Sequence, residues 1–365
     1  MDKIVINSVN TNSAGTSNIT KLLISEGELD SNKVTLFVEN NIHFTALNSS
    51  SVKLVDFGLG SLKRLFNKFK FELFTLQIKA NRKQNKHLLV MANYSPLPVF
   101  FAKKTVIMRH PYLVDNQAWK EIKTKKHFLL EILRTATFKL TLFSTDRLIV
   151  QTEAMKLMLL KKYPNFKGQL KVINNPVPNY MLEERYNITI PIQERKKTLF
   201  YPSRYYAHKN HEVLLEIVKN NEELFKDKGL QIVITLKVGG EGQHILDQID
   251  SLGLSDYFIN LGEVSQNELI TYYKSSLALL FPSNAETFGN SIAEAMCYGL
   301  PIFINDKPYS RSLCGQSAYY SKFESSKFQE ELQTFLENWD ELQKLSKCRS
   351  NKFLNSYDWL NEVLF

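Results

Sequence analysis

Residues 281–301 read FPSNAETFGNSIAEAMCYGLP, and the fold follows from how that stretch is parsed. The apolar run LALLFPS (Leu277–Ser283) is a buried strand that stops at Pro282–Ser283. A loop carrying Glu286, Phe288 and Gly289 follows, and a helix starts near Asn290–Ser291. Strand, loop and helix in that order belong to a parallel sheet, so the helix opens at the sheet's C-terminal edge. Its free backbone N–H groups and positive end form an anion cradle there. In open α/β sheets ligands bind at that edge. Glu294 lies four residues beyond Asn290, about one turn, and can face the same crevice as Glu286. A carboxylate in that position would repel a phosphate and suits ribose hydroxyls. The plain alternative is an N-cap asparagine with two solvated glutamates.

Working outward, TLFYPS (Thr198–Ser203) is the first strand of the same sheet, and SRYYAHKN carries Arg204 and Lys209 out of its end. Two cations five residues apart across one turn can straddle a diphosphate, the arginine by planar bidentate contacts and the lysine as a point charge. Read alone, the stretch is better taken as two ordinary surface cations of a basic protein. Leu230–Leu236, Tyr257–Gly262 and Pro301–Asn305 add further strands, and helical segments such as Glu212–Asn221 and Gln266–Ser275 lie between them. Upstream the same alternation runs through Lys3–Val9, Val34–Glu39, His87–Asn93, Thr105–His110 and Arg147–Thr152, and KVINNPVP (Lys171–Pro178) follows. The polar loop Asn10–Asn18 follows the first strand. The prolines at 176, 178 and 191 mark a linker.

The predicted architecture is α/β, with two doubly wound Rossmann-like domains facing across a cleft and a C-terminal helix closing the structure. The expected boundaries are 1–180 for the N-terminal domain, 181–196 for the linker, 197–349 for the C-terminal domain and 350–365 for the closing helix. That last segment places Phe353, Tyr357, Leu360 and Val363–Leu364 at helical spacing.

The two motif stretches together resemble the retaining nucleotide-sugar glycosyltransferases of the GT-B fold, family four (glycosyl transferases group 1). Glu286 and Glu294 in ETFGNSIAE match that family's pair of glutamates separated by seven residues, and AMCYGLPIF matches its continuation. SRYYAHKN resembles its donor-diphosphate element. Gln151-Thr152-Glu153 and Asn175-Pro176-Val177 resemble its end-of-first-domain pattern. The resemblance implies that Arg204 and Lys209 hold the donor diphosphate, that backbone amides around Phe288, Gly289 and Asn290 bind phosphate and sugar, and that Glu294 binds ribose. Glu286 would contact the transferred sugar as nucleophile or positioner. His110, in MRHPY, matches a first-domain histidine that reaches sugar or acceptor. Its alternative reading is a strand-end histidine satisfied by backbone. Gly15, the one glycine of NTNSAGTSN, stands on the acceptor side, where the family often has a glycine pair. Ser203 replaces the usual glycine before the donor arginine, and DKPYSRSLCG (Asp306–Gly315) is only loosely similar.

The resemblance implies transfer of a sugar from a nucleotide-sugar donor to a saccharide or lipid-linked saccharide acceptor, in bacterial surface polysaccharide biosynthesis. The nucleotide sugar is a co-substrate, no cofactor is expected, and no metal: Asp-x-Asp occurs nowhere. The rivals are a sugar-nucleotide epimerase of the same fold and a non-catalytic transferase acting as a binding subunit. A dinucleotide oxidoreductase is disfavoured because no G-x-G-x-x-G follows a strand.

Charge and composition bound the rest. The 365 residues carry 46 Lys+Arg against 37 Asp+Glu, a net of +9. That sum hides +15 in residues 1–180 (27 basic, 12 acidic) and −6 in the remainder (19 basic, 25 acidic). Ser61–Phe74 places Leu62, Leu65, Phe66, Phe69 and Leu73 on one predicted helical face, flanked by Lys63, Arg64, Lys68 and Lys70. Trp119–Arg134 similarly sets lysines beside Phe128, Leu129, Leu130, Ile132 and Leu133. Such helices read either as core-facing with solvated backs or as binders of an anionic membrane surface. Nucleic acid is not expected, since no binding motif appears. Three cysteines form no disulfide framework, seven scattered histidines show no zinc spacing, and the N-terminal run lacks a secretory pattern. The expected location is cytoplasmic, either soluble or peripheral on the cytoplasmic face of the inner membrane.

Overall fold

A computed structural model describes residues 3–9, 14–40, 44, 50–58, 61–94, 102–184 and 190–365. The chain divides into two compact units. The first comprises residues 1–115, 125–179 and 354–365, and the second residues 116–124 and 180–353.

The first unit is built on a parallel sheet of β1 (Lys3–Ser8), β2 (Val34–Glu39), β3 (Val52–Val55), β4 (Asn85–Val90), β5 (Lys103–Ile107), β6 (Arg147–Val150) and β7 (Gln169–Val172). Their order is β3-β2-β1-β4-β5-β6-β7. Its helices are α1 (Ala14–Glu26), α2 (Ser61–Lys70), α3 (Leu76–Ala80), α4 (Lys125–Leu142) and α5 (Glu153–Lys162), and α6 (Asn179–Glu184) leads into the second unit.

Because side chains alternate along a strand, neighbouring residues feed opposite faces of this sheet. Val5, Leu88, Val106 and Leu148 join a core with Phe71 before α3, Leu76 and Ala80 of α3, Phe138 and Leu142 of α4, and Met155 and Leu159 of α5. Ile6, Leu89, Ile107 and Ile149 join a second core with Ile19 and Leu23 of α1. Trp359, Leu360, Val363 and Leu364 of the C-terminal helix complete that second core. Arg147 ties this last segment down, donating to the carbonyls of Val363 at 2.8 Å and Phe365 at 3.2 Å.

The second unit carries a six-stranded parallel sheet, β10-β9-β8-β11-β12-β13. The strands are β8 (Lys196–Tyr201), β9 (Gln231–Ile234), β10 (Phe258–Asn260), β11 (Ser276–Phe281), β12 (Ile302–Asn305) and β13 (Tyr319–Ser321). Helices α7 (Glu212–Asn220), α8 (Glu222–Lys228), α9 (Gln243–Ser251), α10 (Gln266–Ser275), α11 (Asn290–Cys297), α12 (Pro308–Cys314), α13 (Phe328–Glu337) and α14 (Trp339–Ser350) complete it, and α15 (Ser356–Leu364) is the C-terminal helix of the first unit. Arg195, at the entry to β8, is buried and lies over Trp339 at 5.5 Å from the ring centroid. Its guanidinium donates to the carbonyls of Tyr273, Lys274 and Ser276, clamping the α10–β11 junction. Burial pushes its pKa down to about 10.

The predicted two-sheet α/β architecture is the one observed, with differences in detail. β3 and β13 escape sequence reading because they are short edge strands of mixed polarity. The predicted helix over residues 61–74 stops at Lys70, where a π-helical turn, Phe71–Thr75, intervenes. The wider turn shifts the helical phase, so Phe71, Leu76 and Ala80 face the core while Phe66 and Phe69 stay exposed. The side chains of Leu62 and Leu65 lie outside the described residues. Trp119–Arg134 is not one helix: Ala118–Glu121 is a short 3-10 turn in the second unit, and α4 begins at Lys125. Residues 10–13 of the predicted first loop and 185–189 of the predicted linker lie outside the described residues.

Candidate functional site

Strands β8 and β11 are parallel neighbours, so their C-terminal ends open at one edge of the second sheet. β9 lies on the far side of β8 and β12 on the far side of β11, which makes the gap between them the point where the winding reverses. Every predicted residue of the second unit lies in the loops leaving these two strands or in α11.

The loop after β8 passes through Arg204 into a 3-10 turn, Ala207–Lys209, which Asn210 ends with a left-handed φ of 57°. The loop after β11 runs from Pro282 to Gly289. The two are stitched together. The His208 carbonyl accepts from the Asn284 amide at 2.7 Å and from the Ser283 hydroxyl at 3.1 Å. Tyr201, at the end of β8, donates its hydroxyl to the Lys209 carbonyl at 2.7 Å. From the other side, Asn305 Nδ2 donates to the Pro282 carbonyl and to Asn284 Oδ1, both at 3.0 Å, and Tyr309 donates to the Ser283 carbonyl at 2.8 Å. A loop held at this many points presents its backbone in one conformation.

Lys209 and Glu286 meet across the stitched loops: the lysine ammonium donates to Glu286 Oε1. Both side chains are mostly buried, with 18% and 11% of their surface exposed. The ammonium also lies 5.6 Å from the centroid of the Phe281 ring, a cation–π contact that helps hold the charge at the strand end. Arg204 differs. It is exposed, and its guanidinium makes no ion pair among the described residues. Beside this edge His211 is buried, and burial first, with Lys209 adding to it, pushes its pKa down to about 4, so the imidazole is neutral.

Helix α11 opens at this edge. Gly289 caps it with φ 86°, and a Cβ at that position would lie 2.7 Å from Ile292 Cδ1, so only glycine makes the turn without strain. Gly289 has no side chain with which to cap the first turn, and the helix presents its positive N-terminal end at this edge. The Phe288 side chain is core, packed edge-on to Phe353, so its contribution to a ligand would be backbone. Asn290 begins the helix and is half-buried. One turn in, Glu294 Oε2 accepts from the Tyr273 hydroxyl at 2.6 Å, and burial pushes the carboxyl above its ordinary value.

Two predicted residues belong to the first unit. Gly15 falls in the first turn of α1. His110 follows the carboxyl end of β5, and its Nε2 donates to Glu131 Oε2 at 2.6 Å. Glu131 of α4 is fully buried and also accepts from Arg134, with His127 Nε2 at 3.5 Å. Burial opposes the charge, but the hydrogen bond from His110 and the Arg134 guanidinium outweigh it and hold the carboxyl below the usual range. Sequence reading named His110 without Glu131, Tyr273, Ser283 or Asn305. A signal existed for Glu131, which is the lone acid in KKHFLLEILR (Lys125–Arg134). The others are ordinary core residues in sequence, and only the fold aims them. Among the described residues no group of three or more His, Cys, Asp or Glu side chains is placed to hold a metal.

Residues 183–352 match the family described as Glycosyl transferases group 1. The O-antigen chain mannosyltransferase RfbU of Salmonella typhimurium is 23% identical over 236 residues, 64% of this chain and 62% of that protein. An uncharacterized glycosyltransferase of Haemophilus influenzae is 24% identical over 171 residues, 47% of this chain and 45% of that protein. The chain thus spans less than two thirds of each of these relatives. Among solved structures, sucrose-phosphate synthase of Thermosynechococcus elongatus superposes with a TM-score of 0.73 at 14% identity, covering 99% of this chain and 97% of that one. HepE of Anabaena, solved with UDP and glucose, gives 0.66 at 15% identity, covering 100% and 99%. At such identities the likeness is one of fold.

Proposed function

We propose that this chain, whose residues 183–352 belong to the glycosyl transferases group 1 family and whose two sheets form a GT-B fold, is a retaining glycosyltransferase. It would move a sugar from a nucleoside-diphosphate donor to a saccharide acceptor. The observation that carries this reading is the Lys209–Glu286 pair at the β8/β11 edge, on the same two loops that carry Arg204 and lead into the N-terminal end of α11. A cation and a carboxylate held together suit the anomeric centre of a sugar diphosphate, where a leaving anion adjoins a carbon gaining positive charge.

In this mechanism Arg204, Lys209 and the first amides of α11 take the charge of the departing diphosphate, with no divalent ion required. Glu286 sits beside the sugar ring as nucleophile or as electrostatic support for the oxocarbenium-like centre. The acceptor oxygen bonds to the anomeric carbon from the face the diphosphate leaves. Its proton passes to a released phosphate oxygen, so the configuration is kept. Glu294, steadied by Tyr273, accepts from a ribose hydroxyl through its second oxygen. His110, oriented by Glu131, binds sugar or acceptor hydroxyls.

The name of the Salmonella relative, an O-antigen chain mannosyltransferase, supports surface polysaccharide as the setting. The acceptor in this reading is a saccharide, carried on a lipid. HepE, solved with UDP and glucose, makes UDP-sugars the first donors to try. The test is release of nucleoside diphosphate from a panel of nucleotide sugars, with the anomeric configuration of the product read by NMR. An α-linked product from an α-linked donor, formed only with acceptor, is expected. Inversion would remove the retaining mechanism, and acceptor-independent release would favour the epimerase reading.

A further inference from the structure

Helix α4 is built inside out. At 100° per residue its buried side is Glu131, Phe138 and Leu142, which leaves a carboxylate and two apolar residues facing the sheet. About 180° away, on the line pointing outward, stand Leu129, Leu133 and Leu140, with 67%, 63% and 70% of their surface exposed. A surface helix ordinarily reverses that arrangement. The segment around α2 repeats it: Phe66, Phe69 and Phe74 are 67%, 60% and 60% exposed.

The two exposed stripes lie on the same side of the first sheet. The segment from Phe71 to Ala80 and α4 both supply the core on one face, whereas α1 and α15 cover the other. Of the twenty large apolar residues exposed among the described residues, sixteen belong to the first unit, and fourteen of those fall between Leu54 and Leu160. Single exposed leucines mean little, but outward stripes on helical segments over one sheet face mark a surface that something covers.

The charges say what. Lys63 and Lys70 of α2, and Lys125, Lys126 and Lys139 of α4, are exposed, and none makes an ion pair among the described residues. The only acid of α4 is the buried Glu131. Leucine and phenylalanine stripes edged by unpaired lysines, with no exposed carboxylate on α4, match a bilayer interface that has an apolar interior and an anionic rim. Among the described residues no helix is long and apolar enough to cross a membrane, so the contact would be a face lying on the surface.

We propose that this face of the first unit, centred on Leu129, Leu133 and Leu140 of α4 and Phe66, Phe69 and Phe74 around α2, docks on an anionic lipid bilayer. A lipid-linked acceptor would be presented there, but docking does not depend on the donor-site reading, since it is measured without turnover.

The test is flotation of the full chain with vesicles of phosphatidylcholine alone and with 30% phosphatidylglycerol. Binding to the anionic vesicles and little to the neutral ones is expected, falling as salt rises. Lys125→Ser with Lys126→Ser should weaken partitioning about 30-fold, taking ~1 kcal/mol per lysine near a charged surface. Leu129→Ser with Leu133→Ser should weaken it comparably, with circular dichroism and melting temperature unchanged because both residues point outward. Absence of binding to anionic vesicles at low salt would overturn the proposal. So would a dimer in light scattering that the leucine pair variant dissolves, which would make the face an interface between copies of the chain.

Discussion

Lys209 faces two demands, and its neighbours show how they compete. Its ammonium is held by Glu286 and by the Phe281 ring, so a diphosphate binding there as proposed would share or displace the carboxylate. Glu286→Gln would free the lysine while removing the charge proposed to stand beside the sugar. Nucleoside diphosphate affinity is therefore expected to hold or rise while turnover falls about 100-fold, as when an electrostatic support is lost. Calorimetry paired with a transfer assay separates the two, and equal loss of both would place Glu286 in binding alone. His211 gives a pH handle on the same edge. Its folded-state pKa is depressed to about 4, below the ordinary value near 6.5. The unfolded chain thus takes up the proton first as pH falls, so this contribution is complete above ~6.5 and is lost between ~6.5 and ~4, roughly 2–4 kcal/mol in all. Urea denaturation at pH 7 and pH 4.5 should show that loss in the parent protein. His211→Phe should show a clearly smaller one.

At the scale of elements, what was legible in the sequence depended on whether local pattern and tertiary role agreed. β8, β11 and α11 were legible because a fully apolar run, a small-residue loop and an unbroken helix each carry their own signal, and Gly289 sits where the turn demands it. Arg204, Lys209, Glu286 and Glu294 were legible as types at given spacings. That Lys209 and Glu286 would pair was not, because it depends on the lateral register of two strands 75 residues apart. α4 was misleading, since its leucines and its carboxylate occupy the sides opposite to those an amphipathic pattern implies. The inversion makes a prediction about stability. Glu131→Ala strips His110 and Arg134 of a buried partner and should lower the unfolding free energy by about 2–3 kcal/mol. Leu133→Ser, in the most apolar stretch of the same helix, should stay within about 0.5 kcal/mol. The ordinary order of a leucine and a glutamate is reversed, and urea titrations of the two variants check it.

At the scale of the whole molecule the chain crosses between its units more than once, and the last twelve residues return to the first. Trp359, Leu360, Val363 and Leu364 are buried in that unit's second core. At ~1.5–3 kcal/mol per fully buried side chain they supply about 6–12 kcal/mol, comparable to the whole stability of a domain. Ending the chain at Phe353 should therefore unfold the first unit and leave the second able to bind nucleotide, which thermal melts with and without nucleotide would register. The net charge of +9 resolves in the same way: the excess lies in the first half, while the second keeps its useful cations at one sheet edge. The central claim is that this edge holds a nucleoside diphosphate. Isothermal titration of UDP, GDP, ADP and CDP into the full chain and into Lys209→Ala measures it directly. One of them should bind the parent chain and bind the variant at least 30-fold more weakly. Equal affinity in both proteins, or no binding of any of the four to the parent chain, would contradict it.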